Sequence, residues 1–167
     1  GTYLYTGSGD EPGRVVRYDL AEPASPLVLG SAEPNAYAVT VDATHAYWAL
    51  FEFGQFPRIR RSPKGSSAPV DVVAAADHPG VPTGRIARFA VDGTHVYYAL
   101  VRASGFDNVV EVFRKSADGT GAPQALSPAR VIADVLGLGV DATHVYWTED
   151  RFGPPVTGGN LMRAPKD

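Results

Sequence analysis

Val41-Asp42-Ala43-Thr44-His45-Ala46-Tyr47-Trp48-Ala49-Leu50 returns as Val91-Asp92-Gly93-Thr94-His95-Val96-Tyr97-Tyr98-Ala99-Leu100 and as Val140-Asp141-Ala142-Thr143-His144-Val145-Tyr146-Trp147-Thr148-Glu149. Asp42 to Asp92 is 50 residues and Asp92 to Asp141 is 49. A pattern recurring at nearly constant spacing marks an array of equivalent structural units. A degenerate copy opens the chain, with Thr2-Tyr3-Leu4-Tyr5-Thr6 aligned to His144-Val145-Tyr146-Trp147-Thr148. Within the pattern, the Asp side chain is suited to accept from a backbone N–H two residues on, closing a tight turn. Gly93 tolerates any φ there, whereas Ala43 and Ala142 imply that φ need not be positive.

Working outward, each copy is followed by a second apolar run ending in arginine: Val15-Val16-Arg17, Ile59-Arg60-Arg61, Val112-Phe113-Arg114 and Leu161-Met162-Arg163. A third short run comes next: Leu27-Val28-Leu29, Val70-Asp71-Val72-Val73 and, more weakly, Gln124-Ala125-Leu126. A fourth leads into the next Asp: Tyr37 to Val41, Ile86 to Val91 and Leu136 to Val140. Runs rich in Val, Ile and aromatics, separated by Gly, Pro, Asp and Ser, read as strands. No amphipathic helix of ten residues is present. Four strands in about 49 residues match the blade of a β-propeller. With strands lettered A to D from the inside out, the order is B-C-D, A-B-C-D, A-B-C-D, A-B-C. The expectation is an all-β propeller segment of fourteen strands, about three and a half blades. The expected bounds are a partial blade over 1–35, blades over 36–84 and 85–134, and a partial blade over 135–167. Strand B should be apolar on both faces, because blades pack on both sides.

Composition agrees. The chain has 167 residues, with 18 Gly and 14 Pro, a level suited to many short strands and frequent turns. The net charge of −3 disfavours a nucleic-acid partner. No apolar run is long enough for a membrane-spanning helix. With no cysteine, disulfides and thiolate metal sites are excluded. The opening Gly1-Thr2-Tyr3 lacks a charged and apolar leader, so the expectation is that any signal peptide was removed or never present.

Asp141…Tyr146-Trp147-Thr148, with Asp150 nearby, resembles the YWTD repeat of low-density-lipoprotein-receptor propellers. The chain also resembles bacterial extracytoplasmic propellers of the TolB and NHL types. The resemblance covers the whole chain as a repeat and implies a propeller fold and an extracytoplasmic, secreted or periplasmic setting. The other copies depart from that motif, reading Tyr47-Trp48-Ala49 and Tyr97-Tyr98-Ala99.

Recurring polar residues read as structural. Asp42, Asp92 and Asp141 cap turns, and His45, His95 and His144 share one position ahead of Trp48, Tyr98 and Trp147. Arg17, Arg61, Arg114 and Arg163 recur in register and suit pairing or stem packing against a neighbouring blade. Function in a repeat fold sits where loops depart from the repeat. In propellers the B–C and D–A loops share a rim. The candidate ligand-binding residues there are Glu52, Phe53, Phe56, His78, Phe106, Asp107, Arg151 and Phe152, aromatic anchors beside polar groups. His78 is the single histidine outside the repeat. No nucleophile elbow, phosphate loop, zinc-protease motif or calcium loop is present. No catalytic residue, metal ligand or cofactor is assigned.

The first functional reading is therefore a non-catalytic binding or scaffold module recognising a protein, peptide or glycan at the loop rim. The alternative is part of a metal-dependent propeller enzyme resembling streptogramin lyases or gluconolactonases, which requires non-repeated polar residues to converge on one point. A third is a structural half-ring built to oligomerise. An open segment exposes two blade faces, so the expected partner across them is the remainder of a longer chain or a second copy forming a homodimer.

Overall fold

A computed structural model describes residues 1–9, 13–52, 54–81, 83–105, 107–150 and 159–166. The architecture is all-β. The described residues form four antiparallel sheets and one 3-10 turn, Ala75–Asp77. Sheet 1 holds β1 (Tyr3–Gly7), β2 (Arg14–Asp19) and β3 (Leu27–Ser31). Sheet 2 holds β4 (Ala36–Val41), β5 (His45–Leu50), β6 (Arg58–Pro63) and β7 (Val70–Val73). Sheet 3 holds β8 (Arg85–Val91), β9 (His95–Ser104), β10 (Asp107–Ser116), β11 (Gln124–Ala125) and β12 (Arg130–Val131). Sheet 4 holds β13 (Asp134–Val140), β14 (His144–Asp150) and β15 (Asn160–Pro165). Each strand pairs with its neighbour in sequence, apart from β12, which returns to β10.

That return makes fifteen strands among the described residues where the sequence predicts fourteen. The weak run after Gly121 splits into two two-residue pieces on the outer edge of the ten-residue β10. Pro128 lies between them and has no N–H to give to a continuous ladder.

The sheets stack in chain order, with β1 against β4, β4 against β8 and β8 against β13. Three apolar clusters fill the spaces between them. Trp48 and Leu50 of β5 meet Val15 and Leu29 of sheet 1. Tyr47 and Ala49, on the other face, meet Ile86, Tyr98 and Leu100 of sheet 3. Tyr97, Ala99 and Val101 of β9 meet Val135, Val145 and Trp147 of sheet 4. Successive side chains of a strand point to opposite faces, so one aromatic dipeptide serves two interfaces. Trp48, Tyr47, Tyr97 and Tyr98 are fully buried. At roughly 25 cal/mol per Å² and 150–250 Å² each, that burial is worth about 4–6 kcal/mol per ring before entropy is counted.

Strand β14 differs from β5 and β9. Val145, Trp147 and Glu149 are buried while Tyr146 and Thr148 are only partly covered. The expected two-sided burial is thus absent in this strand. Among the described residues no sheet lies on that outer face.

The adjacent edge strands β4, β8 and β13 share a further feature. The pairing register slips between Tyr37 and Thr40 in β4, between Ile86 and Arg88 in β8, and between Val135 and Gly137 in β13. Side chains reach across to these bulges. The Tyr37 hydroxyl donates to the Ile86 carbonyl at 2.7 Å, and Arg88 Nε donates to the Leu136 carbonyl at 2.9 Å. Bulges bend a strand and re-aim its side chains. Here they also give the inner edges of adjacent sheets a polar seam.

Candidate functional site

Three shallow cavities cluster around the loop that follows β5. One, of about 250 Å³, is lined by Tyr37, Phe51 and Arg85 to Arg88. A second, about 180 Å³, shares Phe51 and Arg85 and extends to Val101, Ala103 and Asn108. A third, about 280 Å³, is lined by Glu52, Gln55, Phe56, Arg58 and Ala75. The first two form one groove from sheet 2 to sheet 3 over the bulges of β4 and β8. Phe51 supplies an exposed apolar surface at its centre.

The groove is cationic. Arg85 is paired with Asp134 at 2.7 Å. Arg88 is held by two carbonyls, those of Ala87 (2.6 Å) and Leu136 (2.9 Å), and among the described residues it has no carboxylate within salt-bridge distance. Its charge remains available at an exposed position. Burial, the largest influence, pushes the Tyr37 hydroxyl up to about 12, so it stays a neutral donor across the working range.

The residues expected at the rim separate. Glu52 is exposed and lines the third cavity, and Asp107 is exposed at the start of β10. Phe56 and His78 do come together, but inside the protein. Their rings stack with centroids 5.5 Å apart, and both residues are more than nine-tenths buried. His78 Nε2 lies 2.7 Å from the Tyr98 hydroxyl, and its ring meets Phe113 edge-on at 4.6 Å. Phe53, Phe106, Arg151 and Phe152 lie outside the described residues. Tyr37, Phe51, Arg85, Arg88 and Asn108 were not singled out by sequence reasoning. Arg85 and Arg88 sit in strand β8, and the bulge between Ile86 and Arg88 shifts the alternation there, leaving Arg88 exposed.

His78 has a counterpart. It sits between β7 and β8, and Glu33 sits in the matching loop between β3 and β4. Trp48 Nε1 donates to Glu33 Oε2 at 3.1 Å, just as Tyr98 meets His78. Glu33 is fully buried and also takes Arg60 Nη1 at 2.6 Å. At the third interface Trp147 Nε1 donates to the buried Glu149 at 3.2 Å, with Arg130 Nε 3.6 Å from its other oxygen. Each inward aromatic with a polar tip is thereby satisfied, as burial demands.

The repeated Asp residues close their turns in one way. Asp42 Oδ1 accepts from the N–H groups of Thr44 (2.7 Å) and His45 (2.8 Å), and Oδ2 accepts from the Tyr47 hydroxyl (2.7 Å). Asp92 and Asp141 repeat the pattern with Thr94, His95 and Tyr97, and with Thr143, His144 and Tyr146. Burial pushes Asp42 and Asp92 upward, but these donors, with Lys166 added at Asp92, outweigh it and hold both below the usual carboxylate range. The N–H groups of Thr143 and His144 lower Asp141 likewise. The Nδ1 atoms of His45, His95 and His144 lie 2.7, 3.0 and 2.7 Å from the preceding threonine hydroxyls. Gly93 takes φ +88°, whereas Ala43 and Ala142 do not have positive φ, so the three turns differ in backbone yet share one hydrogen-bond set. Among the described residues no group of three or more His, Asp or Glu is placed to hold a metal ion.

Burial depresses His78 below its ordinary value, against the pull of the Asp77 charge. The unfolded chain therefore binds the extra proton first. Stability is full above the unfolded value near 6.5 and declines as pH falls from there toward the folded value. The melting temperature is expected to fall as pH is lowered below the unfolded value near 6.5. His78→Gln should flatten that drop, leaving the part due to His45, which burial also depresses. An unchanged slope in thermal melts of the variant would remove His78 from this account.

No family model and no curated protein matches the sequence. A solved structure from a structural and mechanistic study of two prolyl endopeptidases aligns with 98% of this chain and 33% of its own, at 10% identity and a TM-score of 0.35. The chain thus spans about a third of that protein. A likeness at this level assigns neither family nor activity.

Proposed function

We propose that the four sheets are blades of a β-propeller and that the chain is a non-catalytic binding module. Its ligand is an extended, acidic peptide segment of a protein partner, laid in the groove around Phe51. The propeller reading is supported by antiparallel sheets of three, four, five and three strands that pair in sequence order, β12 apart, and stack with β1, β4, β8 and β13 adjacent. The binding reading rests on one observation: the exposed Phe51 beside Arg88, a guanidinium that among the described residues is held by carbonyls alone. An apolar ring next to an exposed guanidinium suits a segment carrying a carboxylate close to an apolar side chain. Cavities of about 180–280 Å³ fall below the roughly 300–1,000 Å³ usual for enclosing a small molecule. They suit a ligand that touches several shallow depressions in turn.

Selection of a random displayed-peptide library on the immobilised chain tests this. Enriched peptides should carry Asp or Glu near an aromatic or aliphatic residue and should bind more weakly as salt is raised. Phe51→Ala and Arg88→Gln should each weaken them on the order of tenfold. Enrichment without acidic residues, or binding indifferent to both substitutions, would count against the groove.

A further inference from the structure

The contact that joins one sheet to the next is built the same way inside the chain, and its two halves stand uncovered on the outer faces of sheets 1 and 4. The key residue lies three positions after the recurring arginine: Leu20, Lys64, Ala117 and Lys166. Its backbone N–H donates to the carbonyl of Thr2, Thr44, Thr94 and Thr143 in turn, at 2.9, 3.0, 2.9 and 3.0 Å. In the three later sheets this residue covers the tyrosine of the sheet before. Lys64 Nζ lies 5.8 Å from the Tyr5 ring centre, and its carbonyl accepts from Arg17 at 2.5 Å. Ala117 is buried in the cluster that contains Tyr47. Lys166 Nζ lies 5.2 Å from the Tyr97 ring centre and 2.7 Å from Asp92 Oδ2. The turn that follows rests on the outer strand of the preceding sheet. Ser67 Oγ donates to the Leu29 carbonyl, and a Cβ on Gly119 would come within 3.0 Å of the Asp71 carbonyl.

Among the described residues, two positions in this series stand without a counterpart. On sheet 4, Tyr146 with Asp141 and Arg163 repeats the arrangement of Tyr97 with Asp92 and Arg114, but among the described residues no following sheet covers it. On sheet 1, Leu20 is 53% exposed and the turn after it, residues 21–26, is exposed throughout. Both faces carry apolar surface, with Leu4 and Leu20 on the first and Leu161, 73% exposed, on the other.

We propose that these faces join head to tail between two copies of the chain, with Leu20 of each copy seated over Tyr146 of the other. The occupant is a second copy because one chain carries both complementary halves, and each continues a series of three interfaces already formed within it. A head-to-tail contact that closes on itself gives a ring rather than a filament. Two chains of four sheets close at eight, within the four to eight sheets typical of rings of this kind. This assembly is independent of what the groove around Phe51 binds.

Light scattering after size exclusion, over a micromolar concentration series of the full chain, tests it. The expected mass is twice 17.7 kDa. Leu20→Asp sets a carboxylate against Asp141 and should raise the dimer dissociation constant on the order of tenfold or more. Leu20→Lys installs the residue that stands at positions 64 and 166, and should tighten the dimer by roughly two- to fivefold. Leu20 is exposed, so both variants should keep the far-ultraviolet dichroism of the parent. A monodisperse monomer, as expected if some other sheet occupies these faces, overturns the proposal. So do polymers of open length, and so does a dimer indifferent to both substitutions.

Discussion

Trp48→Ala is expected to lower the unfolding free energy by about 3–5 kcal/mol, the usual range for removing a fully buried large aromatic. The side chain has no exposed surface and fills the space between sheets 1 and 2 with Val15, Leu29 and Leu50. The site cannot collapse easily, because it is framed by backbone. Gly30 approaches so closely that an added Cβ would stand 2.9 Å from the Trp48 ring and 2.9 Å from Glu33 Oε1. The substitution also removes one of the two donors to buried Glu33, leaving Arg60 as its partner. Trp48→Phe separates the two effects. It keeps most of the volume and forfeits the indole N–H, so it should cost only about 1–3 kcal/mol. Urea denaturation of the three proteins, followed by dichroism, measures both. Equal losses for Ala and Phe would show that the hydrogen bond to Glu33, not the packing, dominates this interface.

Lys115→Met should be comparably damaging, by about 3–5 kcal/mol, because it leaves a carboxylate without its cation in a largely dry space. Lys115 Nζ lies 2.5 Å from Asp77 Oδ1 between sheets 2 and 3, with side-chain exposures of 6% and 11%. The other Asp77 oxygen accepts from the Ala74 N–H at 2.8 Å and anchors the 3-10 turn that carries His78 into the core. Adding Asp77→Asn to Lys115→Met should restore part of the loss, because the amide keeps the acceptor for Ala74 and removes the stranded charge. The double-mutant cycle should then show a coupling of about 1–3 kcal/mol. Additive losses would mean that water reaches this pair and screens it.

The order of strands was legible in the sequence because each unit writes its own boundaries. Asp42, Asp92 and Asp141 act within five residues of themselves, through Thr, His and Tyr, so their turns depend on little beyond local sequence. Strand alternation sends the two aromatics of a repeat to opposite faces, as Tyr47 and Trp48 show, but of Tyr146 and Trp147, expected to meet one neighbour each, only Trp147 is packed in a core between sheets. What could not be read is what depends on one sheet's position against another. No repeat or motif marks Glu33, and its role exists only once Trp48 and Arg60 of the next sheet close over it. Phe56 and His78, expected as exposed anchors, are drawn inward because the loops carrying them lie over the seam between sheets 2 and 3. Arg88 is exposed next to a bulge, and a slip in register leaves no trace in an alternating pattern.

The unlike polar partners at the three seams also bear on how the chain avoids folding into the wrong order. Near-identical repeats invite misassembly, since any unit can dock where another belongs. Here the indole N–H of Trp48 needs the carboxylate of Glu33, while the hydroxyl of Tyr98 needs the imidazole of His78. Swapping neighbours would bury Glu33 or Lys115 without its counter-charge, a mismatch worth several kcal/mol. The apolar surfaces make the units stick. The buried polar pairs make each unit selective about its neighbour, and so act as a proofreading step on the order of assembly.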